Sequence, residues 1–582
     1  MGHNLDFLIE IISFGLIIGG VALGIQLNYL FFILPILVII FLLIYQKKKR
    51  EKYIKMQMKI IKDQWGKERE ESLGLSNKED LHNFLSKKEE VCFKIDNITW
   101  FDLDMDTVFS KMDHTMSLPG IQYLYYILRR PFFEENVLKK RNKKINLLRE
   151  NKSISHEIQY LISILGKEKG TKIFTYFENG LNVDTKPLMI YELLSYLPYL
   201  PLVLFFFNTQ IAFSLFILVI MVNAGIYNSN KRRIYEEMET FKYLGSLINC
   251  AENIVKLNSD GLNEELILHE HELKELLKKT RRIKKNISKI NYNEDLKTET
   301  QVLMDYYNMI FLREPKVFYK TVKQLNKHKE DIFRIYTIIG KIDAYISVAS
   351  YTSGLDYYAE PNLKNESSKL YLKTKEMYHP LLDNPVPYSF ELSNKGALIT
   401  GSNASGKSTF LRTIGINAIL AQTLYMVLAK DYNSSYFKLF TSIGTTDSIV
   451  KGDSYFMAEA KALKRVIDSL RPDYPILCIL DEIFRGTNTT ERISAASVVL
   501  NYMIDKNACV VAATHDLELT TLVNSRYENY HFKETIENKD IIFDYILRKG
   551  TCVSRNAIAI LKYLGYPGEI YEKAVMQAEK YS

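Results

Sequence analysis

Two long stretches of the chain carry only uncharged and mostly apolar side chains. Residues 11–45 and 193–227 each run for 35 residues without Asp, Glu, Lys or Arg. One helix of that length would extend for about 52 Å, more than the ~30 Å hydrocarbon core of a bilayer. Both stretches have a polar interruption near the middle, at residues 26–28 and 208–210. The pattern therefore predicts two transmembrane helical hairpins, each made of two short spanning helices.

Each stretch is also compatible with a second interpretation. A signal peptide is the alternative for the first, although no basic segment precedes it and no small-residue cleavage site follows. A buried core hairpin is the alternative for the second. Basic segments follow the two stretches at residues 47–50 and 231–233. By the positive-inside rule both segments lie in the cytoplasm, so each predicted hairpin enters and leaves on that side.

Charged and helical patterns fill the chain around the second stretch. Residues 51–85 are charged and helix-prone, which indicates a stalk or a solvated linker. Residues 234–346 have the apolar spacing of long helices. Within them, residues 274–289 read KELLKKTRRIKKNISK. Contact with DNA phosphates and a solvated helix face both remain open for this basic segment.

Three aspartates alternate with apolar residues between the two apolar stretches. Asp102, Asp104 and Asp106 have the spacing of some metal ligands. No glycine turn or terminal glutamate follows at the spacing of a Ca²⁺ loop. We therefore expect an acidic surface strand or a helix start here.

Length and composition set only broad limits. A chain of 582 residues should hold several domains. Its net charge of +8 suits a nucleic acid or an anionic membrane but is also common among ordinary proteins. The five cysteines are scattered, without a C-x-x-C pair or metal-ligand spacing, which favours a reducing, cytoplasmic setting.

The most informative motif begins at Gly401. The letters GSNASGKS fit G-x-x-x-x-G-K-[ST], with a short apolar run before them and an apolar-periodic segment after them. In a strand, loop and helix of this kind, glycines let backbone N–H groups surround a phosphate chain. Lys407 would reach the β- and γ-phosphates, and Ser408 would supply a hydroxyl oxygen to Mg²⁺. The motif predicts ATP and Mg²⁺ as cofactors.

Two further apolar runs end in polar residues that suit this chemistry. Residues 475–482, PILCILDE, read as a buried strand that ends in two carboxylates. Asp481 could hold Mg²⁺ through water, and Glu482 could orient or deprotonate the attacking water. Residues 508–516, ACVVAATHD, form a second such strand, where His515 could sense or polarise the γ-phosphate.

These motifs resemble those of the MutS family, the mismatch-repair ATPases and their relatives. GSNASGKST is similar to that family's GPNxGGKST, and LDEIFRGTNTTERISAA to its MDEIGRGTSTxDGxSLA. ATHDLELT resembles ATHYFELT, and DSIVKGDSYFMAEA resembles DDLxxGxSTFMxEM. Weaker likenesses extend the resemblance over residues 100–581, with interruptions.

The resemblance implies a fold and a set of site residues. The fold would be an α/β ABC-type P-loop ATPase domain, with a parallel-rich sheet and flanking helices, after an all-α core and lever domain. Arg485 and Thr487 would lie at a dimer contact. Ser454 would reach across a homodimer to the partner's γ-phosphate, making each ATP site composite. The residues expected around ATP are Gly401, Ser402, Asn403, Ala404, Ser405, Gly406, Lys407, Ser408, Thr409 and Ser454; Asp481, Glu482, His515 and Lys407 would be catalytic, and Ser408 and Asp481 would hold the metal.

The predicted division of the chain follows from these assignments. The segments are 1–50, first transmembrane hairpin; 51–95, charged helical linker; 96–186, first part of the core; 187–228, second transmembrane hairpin; 229–360, core and lever helices; 361–548, ATPase domain; 549–582, C-terminal dimerisation helices. Residues 46–95 are too few for the family's mismatch-reading and connector domains, and 234–346 lack a β-rich clamp insertion. At the position where relatives place an adenine-stacking ring the chain has Val386, with Tyr388 and Phe390 nearby.

The leading interpretation is a membrane-anchored, MutS-like ATPase that couples ATP hydrolysis to binding of mismatched, branched or otherwise structured DNA. It would be a multi-pass protein of the cell membrane with core and ATPase domains in the cytoplasm. An ABC-type membrane ATPase that transmits movement to the bilayer without DNA is the alternative. A non-catalytic tether is disfavoured because Lys407, Asp481 and Glu482 are all present.

Overall fold

A computed structural model describes most of the chain. The described residues are 2–68, 77–89, 92–170, 172–257, 269–290, 306–364, 370–402, 405–444, 455–470, 474–485, 487–523, 525–537, 540–551 and 565–581.

The described chain is helical up to residue 353. The helices before the second apolar stretch are α1 Gly2–Gln26, α2 Ile33–Asp63, α3 Asp80–Ser86, α4 Asn97–Asp102, α5 Met105–Met112, α6 Leu118–Leu128, α7 Glu135–Glu150, α8 Lys152–Ser163 and α9 Ile173–Asn179. Those that follow are α10 Pro187–Leu194, α11 Tyr199–Leu204, α12 Thr209–Leu257, α13 Glu270–Ile287, α14 Arg313–Lys327 and α15 Lys329–Ser353.

The polar interruptions of the two apolar stretches are helix boundaries. In the first, Asn28 Oδ1 accepts a hydrogen bond from Leu30 N at 3.0 Å, where a 3₁₀ turn separates α1 from α2. In the second, Asn208 Oδ1 accepts from Gln210 N and Ile211 N, each at 3.1 Å, at the start of α12. A short polar side chain satisfies the free N–H groups of a helix start, so each break lies at a cap.

Three helical stretches in the described part of the chain are long and apolar enough to cross a membrane. They are Tyr29–Asp63, Pro187–Leu204 and Thr209–Arg232, and Ile12–Gln26 is a shorter apolar helix. Many of their large side chains are exposed, including Ile25 and Phe213. Burial in a protein core therefore does not explain these stretches. That the helices form spanning hairpins stays a prediction.

The segment between the apolar stretches is less solvated than we expected for residues 51–85. Helix α2 continues without a break to Asp63, and α3 buries Leu81, Phe84 and Leu85 in the helical core. The boundaries predicted at residues 50 and 228 fall inside α2 and α12. Each apolar segment is thus part of a helix that continues into charged sequence.

The aspartates near residue 104 lie at a helix start, which was one of the two alternatives expected, since Asp104 directly precedes α5 and Asp106 is in its first turn. Asp102 is buried and accepts hydrogen bonds from Thr441 Oγ1 at 2.7 Å and Ile443 N at 3.0 Å. Asp106 accepts from Lys78 Nζ and Trp100 Nε1. Within the described residues no group of His, Cys, Asp or Glu has the arrangement of a metal site. Asp102 instead joins the helical region to the loop after a strand of the sheet region.

Helices α6 and α15 pack closely in the helical region. Glycines allow the approach, because a Cβ at Gly340 would lie 2.5 Å from the Pro119 carbonyl oxygen. Across the same contact the fully buried Asp343 accepts from Ser117 N at 2.9 Å and Ser117 Oγ at 2.6 Å. These hydrogen bonds satisfy the N-terminus of α6 with a side chain from α15.

Strands dominate from residue 362 onward. They are β1 Asn362–Lys364, β2 Tyr371–Met377, β3 Tyr388–Ser393, β4 Gly396–Thr400, β5 Asp431–Ser435, β6 Lys438–Ser442, β7 Ile476–Asp481, β8 Ala508–Ala513, β9 Tyr527–His531, β10 Glu534–Glu537, β11 Asp540–Phe543 and β12 Arg548–Lys549. The helices among and after them are α16 Lys407–Thr423, α17 Tyr455–Asp468, α18 Thr489–Asp505, α19 Leu517–Leu522 and α20 Gly568–Tyr581.

A six-stranded sheet organises this region. Its strand order is β12-β9-β4-β8-β7-β6, and β9, β4, β8, β7 and β6 run parallel, while β12 is antiparallel to β9. A second sheet has the order β1-β5-β2-β3, and β10 pairs with β11. The central strands are buried on both faces, which explains their continuous apolar sequence.

Helices cover both faces of the six-stranded sheet. On one face, Leu477 and Ile479 pack in a large core that includes α16 and the helical region. On the other, Cys478 and Leu480 pack with Leu500 of α18. The observed fold is a mixed α/β unit that follows a helical region and shares a core with it.

Candidate functional site

Three loops meet at the carboxyl edge of the parallel strands. They follow β4, β7 and β8, which are adjacent in the sheet. Backbone hydrogen bonds tie the loops together, since Glu482 N donates to Ala513 O and Thr514 N donates to Ile399 O, both at 3.0 Å. Ligands of open parallel sheets bind at this edge.

The loop after β4 requires glycine at two positions. Gly401 has a φ of +144°, and a Cβ there would lie 2.9 Å from Ser405 Oγ. Gly406 has a φ of +102° and directly precedes the first residue of α16. Both angles lie where other residues are strained. The loop thus ends at a helix N-terminus, where free N–H groups and the helix dipole favour an anion.

Lys407 is buried at the start of α16. Its Nζ donates to the carbonyl oxygens of Gly401 at 2.7 Å and Ser402 at 2.8 Å, and it lies 3.3 Å from His515 Nε2. Burial lowers the pKa of Lys407, while the carboxylates of Asp481 and Glu482 oppose this shift. The ammonium group therefore lies among all three loops of the site.

Ser408 and Asp481 form a pair of oxygen donors. Ser408 Oγ donates to Asp481 Oδ2 at 2.5 Å, whereas Asp481 Oδ1 is buried and has no hydrogen-bond partner among the described residues. Burial raises the pKa of Asp481, and the hydrogen bond from Ser408 works against that rise. A hydroxyl beside a carboxylate with an unsatisfied oxygen fits a hard divalent cation such as Mg²⁺.

Glu482 lies between two basic side chains. Its Oε1 is 2.6 Å from His515 Nε2, and its Oε2 accepts a hydrogen bond from Arg485 Nε. Burial alone would raise the pKa of Glu482, but these two partners outweigh it and lower the pKa to about 2. Glu482 and Phe484 both have left-handed backbone angles, with φ of +53° and +62°. The turn therefore holds an ionised carboxylate in a strained but well-bonded conformation.

Two positioning contacts lie behind these residues, and the sequence did not reveal either. Arg492 of α18 makes two hydrogen bonds to the Asp516 carboxylate, at 2.9 and 2.6 Å, next to His515. The Glu459 carboxyl of α17 accepts hydrogen bonds from the backbone N–H groups of Phe484 and Arg485. Burial raises the pKa of Glu459 to about 7. The spacing of Arg492 and Asp516 gives no signal, because the pair forms only when α18 packs beside β8.

An exposed tyrosine lies beside the loop. Tyr545 Cδ1 would be 3.1 Å from a Cβ on Gly406, and the ring stacks with Phe543. Tyr388 and Phe390 are buried against Phe410, so their faces are not open to a ligand. Tyr545 is thus an exposed aromatic residue beside Gly406, and the sequence did not single it out.

Comparison with known proteins gives this arrangement a family. Residues 397–582 match the family model for MutS domain V. The DNA mismatch repair protein MutS of Caldicellulosiruptor bescii is 26% identical over 534 residues, which cover 80% of this chain and 58% of that protein. The chain thus contains a MutS domain V and is similar to MutS proteins over most of its length.

Other MutS relatives align with a shorter part of the chain. The DNA mismatch repair protein MutS of Methanococcoides burtonii is 28% identical over 297 residues, covering 49% of this chain and 33% of the relative. That of Caldicellulosiruptor saccharolyticus is 30% identical over 302 residues, covering 48% and 34%. The chain thus spans about a third of the length of most of these MutS proteins.

The structure brings most of the expected site residues together. Those that lie at the three loops are Gly401, Ser402, Ser405, Gly406, Lys407, Ser408, Thr409, Asp481, Glu482 and His515. Asn403, Ala404 and Ser454 lie outside the described residues. Arg485 contacts Glu482 of its own chain, and Thr487 Oγ1 donates to Glu491 at 3.2 Å. The roles assigned to these MutS-type residues stay predictions.

Proposed function

We propose that this protein binds and hydrolyses ATP in a P-loop domain of the ABC type. The proposal rests on a cluster of polar residues around the loop from Gly401 to Gly406. These residues are Lys407, Ser408, Asp481, Glu482 and His515. Their contacts join residues that lie far apart in the sequence, as Lys407 and His515 do. The MutS domain V match supports the same activity.

The chain's own groups would divide the work of hydrolysis. Lys407 and the N–H groups at the start of α16 would bind the β- and γ-phosphates, and Ser408 and Asp481 would hold Mg²⁺. Mg²⁺ would neutralise phosphate charge when bound. A carboxylate with a pKa of about 2 is a weak proton acceptor at neutral pH. Glu482 would therefore act by orienting the attacking water, with His515 fixing its direction.

The proposed enzyme works as a homodimer. Ser454 precedes α17 directly, and the family resemblance places this residue at the partner's γ-phosphate. Glu459, one turn further along α17, is hydrogen-bonded to the turn of Phe484 and Arg485. A dimer contact at the start of α17 would thus affect the position of Glu482 through Glu459 and this turn.

We further propose that ATP turnover is coupled to DNA at a membrane. Curated relatives are named DNA mismatch repair proteins, which supports DNA as the partner. The three apolar helical stretches support anchoring in the cell membrane, with the helical core and the ATPase domain in the cytoplasm. The DNA form that stimulates turnover most would identify the preferred substrate, mismatched or branched.

The test is ATP turnover by the detergent-solubilised full chain at one fixed salt concentration. Turnover is compared without DNA and with homoduplex, mismatched and four-way-junction DNA. Glu482→Gln should lower turnover at least about 100-fold, as loss of a water-positioning group does. Glu518→Gln, a change on α19 outside the proposed site, should leave it unchanged. Equal turnover by Glu482→Gln and the parent protein would refute the assigned site.

A second candidate function is an ABC-type membrane ATPase that transmits movement to the bilayer without DNA. Helix α12 favours it, because one helix of 49 residues joins an apolar stretch to the helical core. Turnover that ignores every DNA but changes between detergent and nanodiscs would support this candidate. Release of the protein from membranes by alkaline carbonate would contradict both membrane proposals.

A further inference from the structure

Helix α13 is amphipathic, with a buried, mostly apolar face and basic residues on the exposed side. Six residues form its buried face: Leu273, Leu276, Leu277, Thr280, Ile283 and Ile287. From position 278 to 290 the chain contains seven Lys or Arg residues and no Asp or Glu. Like charges one turn apart destabilise a helix by a few tenths of a kcal/mol per pair. The basic residues thus lie on one side of the helix although their mutual repulsion destabilises it.

Among the described residues, neighbouring carboxylates neutralise two of these cations. Lys279 pairs with Asp331 at 3.1 Å, and Lys284 pairs with Glu252 at 2.5 Å. The other five are Lys278, Arg281, Arg282, Lys285 and Lys289; all are exposed, and no ion pair is found for them within the described part of the chain. They recur at intervals of three and four residues, so they share one helix face.

Helix α14 extends the same surface. It lies beside α13, and Asn286 Nδ2 donates to Gln324 Oε1 at 3.0 Å across the contact. Lys320, Lys323 and Lys327 flank Gln324, are exposed, and also have no ion pair in the described ranges. We name these eight residues, four on α13, Lys289 two positions after its end and three on α14, the α13–α14 basic face.

The distance of this face from the apolar stretch helps to decide whether it binds a nucleic acid or an anionic membrane. Helix α13 packs along α12, with Ile287 against Gly245, and α12 continues back to the apolar stretch Thr209–Arg232. Gly245 lies 13 residues beyond Arg232, or about 20 Å along the helix. On α13 the face extends further from there, since Lys284 pairs with Glu252 of α12. On α14 it begins nearer, because Lys320 follows Tyr319, which donates to Asn230 within the stretch. Charge at a lipid surface is screened within about 10 Å. A bilayer crossed by α12 could reach only the near end of the face.

From this geometry we propose that the α13–α14 basic face binds the phosphate backbone of double-stranded nucleic acid, without reading base sequence. A duplex is a stiff polyanion that can follow two adjacent helices along their length. Lysine and arginine side chains bind phosphate oxygens, and such contacts position a duplex without reading its bases. The proposal rests on the proposed function, in which DNA is the partner.

The test measures binding of a fluorescein-labelled 30-base-pair homoduplex by anisotropy over a range of KCl concentrations. The full chain is used in detergent. The variant is Arg281→Glu/Arg282→Glu/Lys285→Glu. The matched control is Lys139→Glu/Lys140→Glu/Lys143→Glu, which reverses three charges on the basic helix α7. Elution volume and thermal unfolding verify that both variants are folded.

The parent protein should bind the duplex with a steep salt dependence. Each phosphate contact contributes about 0.9 to the slope of log Kd against log salt, so the α13 variant should lose about 3 from the slope. Its affinity at 100 mM KCl should fall at least about 30-fold, and the control should bind as the parent does.

Other outcomes separate this inference from the proposed function. If the parent binds no duplex, the DNA coupling of the proposed function fails. If the parent binds and the α13 variant binds with the same slope, the inference is overturned while DNA coupling stands. Loss of binding in the α7 variant alone would also overturn it. The same holds if the α13 variant keeps duplex binding but dissociates more readily from phosphatidylserine vesicles.

Discussion

At the scale of single residues, the pKa of Glu482 reports how the site is held. Its ordinary value of 4.5 falls to about 2, against the effect of burial, because His515 and Arg485 bind the carboxylate. A lowered folded-state pKa stabilises the fold above the unfolded value, and this contribution is lost as pH falls from about 4.5 to about 2. The ionised state of Glu482 is therefore secure at neutral pH.

Removing His515 should change the acid side of the activity profile. His515→Gln deletes the partner that lies 2.6 Å from Glu482 Oε1, so the pKa of Glu482 should rise and the acid limb of kcat should move to higher pH. The measurement is kcat for ATP between about pH 4.5 and 8. The parent should show no acid limb from Glu482 in this range, because the pKa of that group is about 2. His328→Gln, in the helical region, is the control and should keep the parent profile. If the profile of His515→Gln is the same as that of the parent, His515 does not set the pKa of Glu482.

Tyr545 provides a second prediction at this scale. Its exposed ring beside Gly406 is placed to stack on a nucleotide base. Stacking of a base on an aromatic ring contributes about 1–3 kcal/mol, so Tyr545→Ala should weaken ATP binding by about 5- to 160-fold. Tyr545→Phe keeps the ring and should bind ATP normally. Inorganic triphosphate lacks the base, and its affinity should be unchanged in both variants; a parallel loss would place Tyr545 at the phosphates.

At the scale of elements, the contact between α6 and α15 depends on small residues. A Cβ at Gly120 would overlap the Asp343 carboxylate, whose hydrogen bonds from Met116 and Ser117 hold the start of α6. Burial raises the pKa of Asp343 to about 6, and the bonds from Ser117 and Met116 oppose this rise. Helices α6 and α15 are thus closely packed and have a buried polar contact at Asp343.

Gly120→Ala should therefore destabilise the protein although alanine favours helix. Overpacking costs about 1–3 kcal/mol, which exceeds the gain of about 1 kcal/mol in helix propensity. Thermal unfolding of the detergent-solubilised chain should show a lower midpoint. Gly225→Ala in α12 is the control, because a Cβ there meets no atom within 4 Å. Equal midpoints for both variants would show that α6 can shift away from Asp343.

The element scale also explains what the sequence could predict. The run of Ala397–Ile399, the glycines at 401 and 406 and the apolar stretch after them predicted a strand, loop and helix because each feature is local. Asp343 and Gly120 are 223 positions apart, and Tyr545 is 139 positions beyond Gly406. No local pattern joins such residues, since only packing of the sheet and helices brings them together. Asp102 was misjudged for the same reason, because its partners Thr441 and Ile443 lie on another element.

At the scale of the whole molecule, the sheet region and the helical region are joined through α16. Arg412 Nε donates to Asp102 O at 2.9 Å, and the backbone N of Phe132 donates to Gln422 O at 2.8 Å. A Cβ at Gly415 would lie 2.6 Å from Leu103 Cδ2, so the two regions also pack closely. Because α16 begins at Lys407, a change at the phosphate loop has a direct structural route into the helical region.

The proposed composite site makes the strongest demand on the whole assembly, since each ATP would need Lys407 of one chain and Ser454 of another. Lys407→Ala and Ser454→Ala homodimers should each be inactive. In an equal mixture, half of the dimers combine both variants, and each of these has one intact site, so turnover should recover to about a quarter of the parent value.

The measurement is ATP turnover after subunit exchange, and a mixture of Lys407→Ala with Glu482→Gln serves as the control. Both control changes lie in the same half-site, so no intact site can form and turnover should stay absent. Recovery in the control, or none in the test mixture, would show that each chain completes its own site.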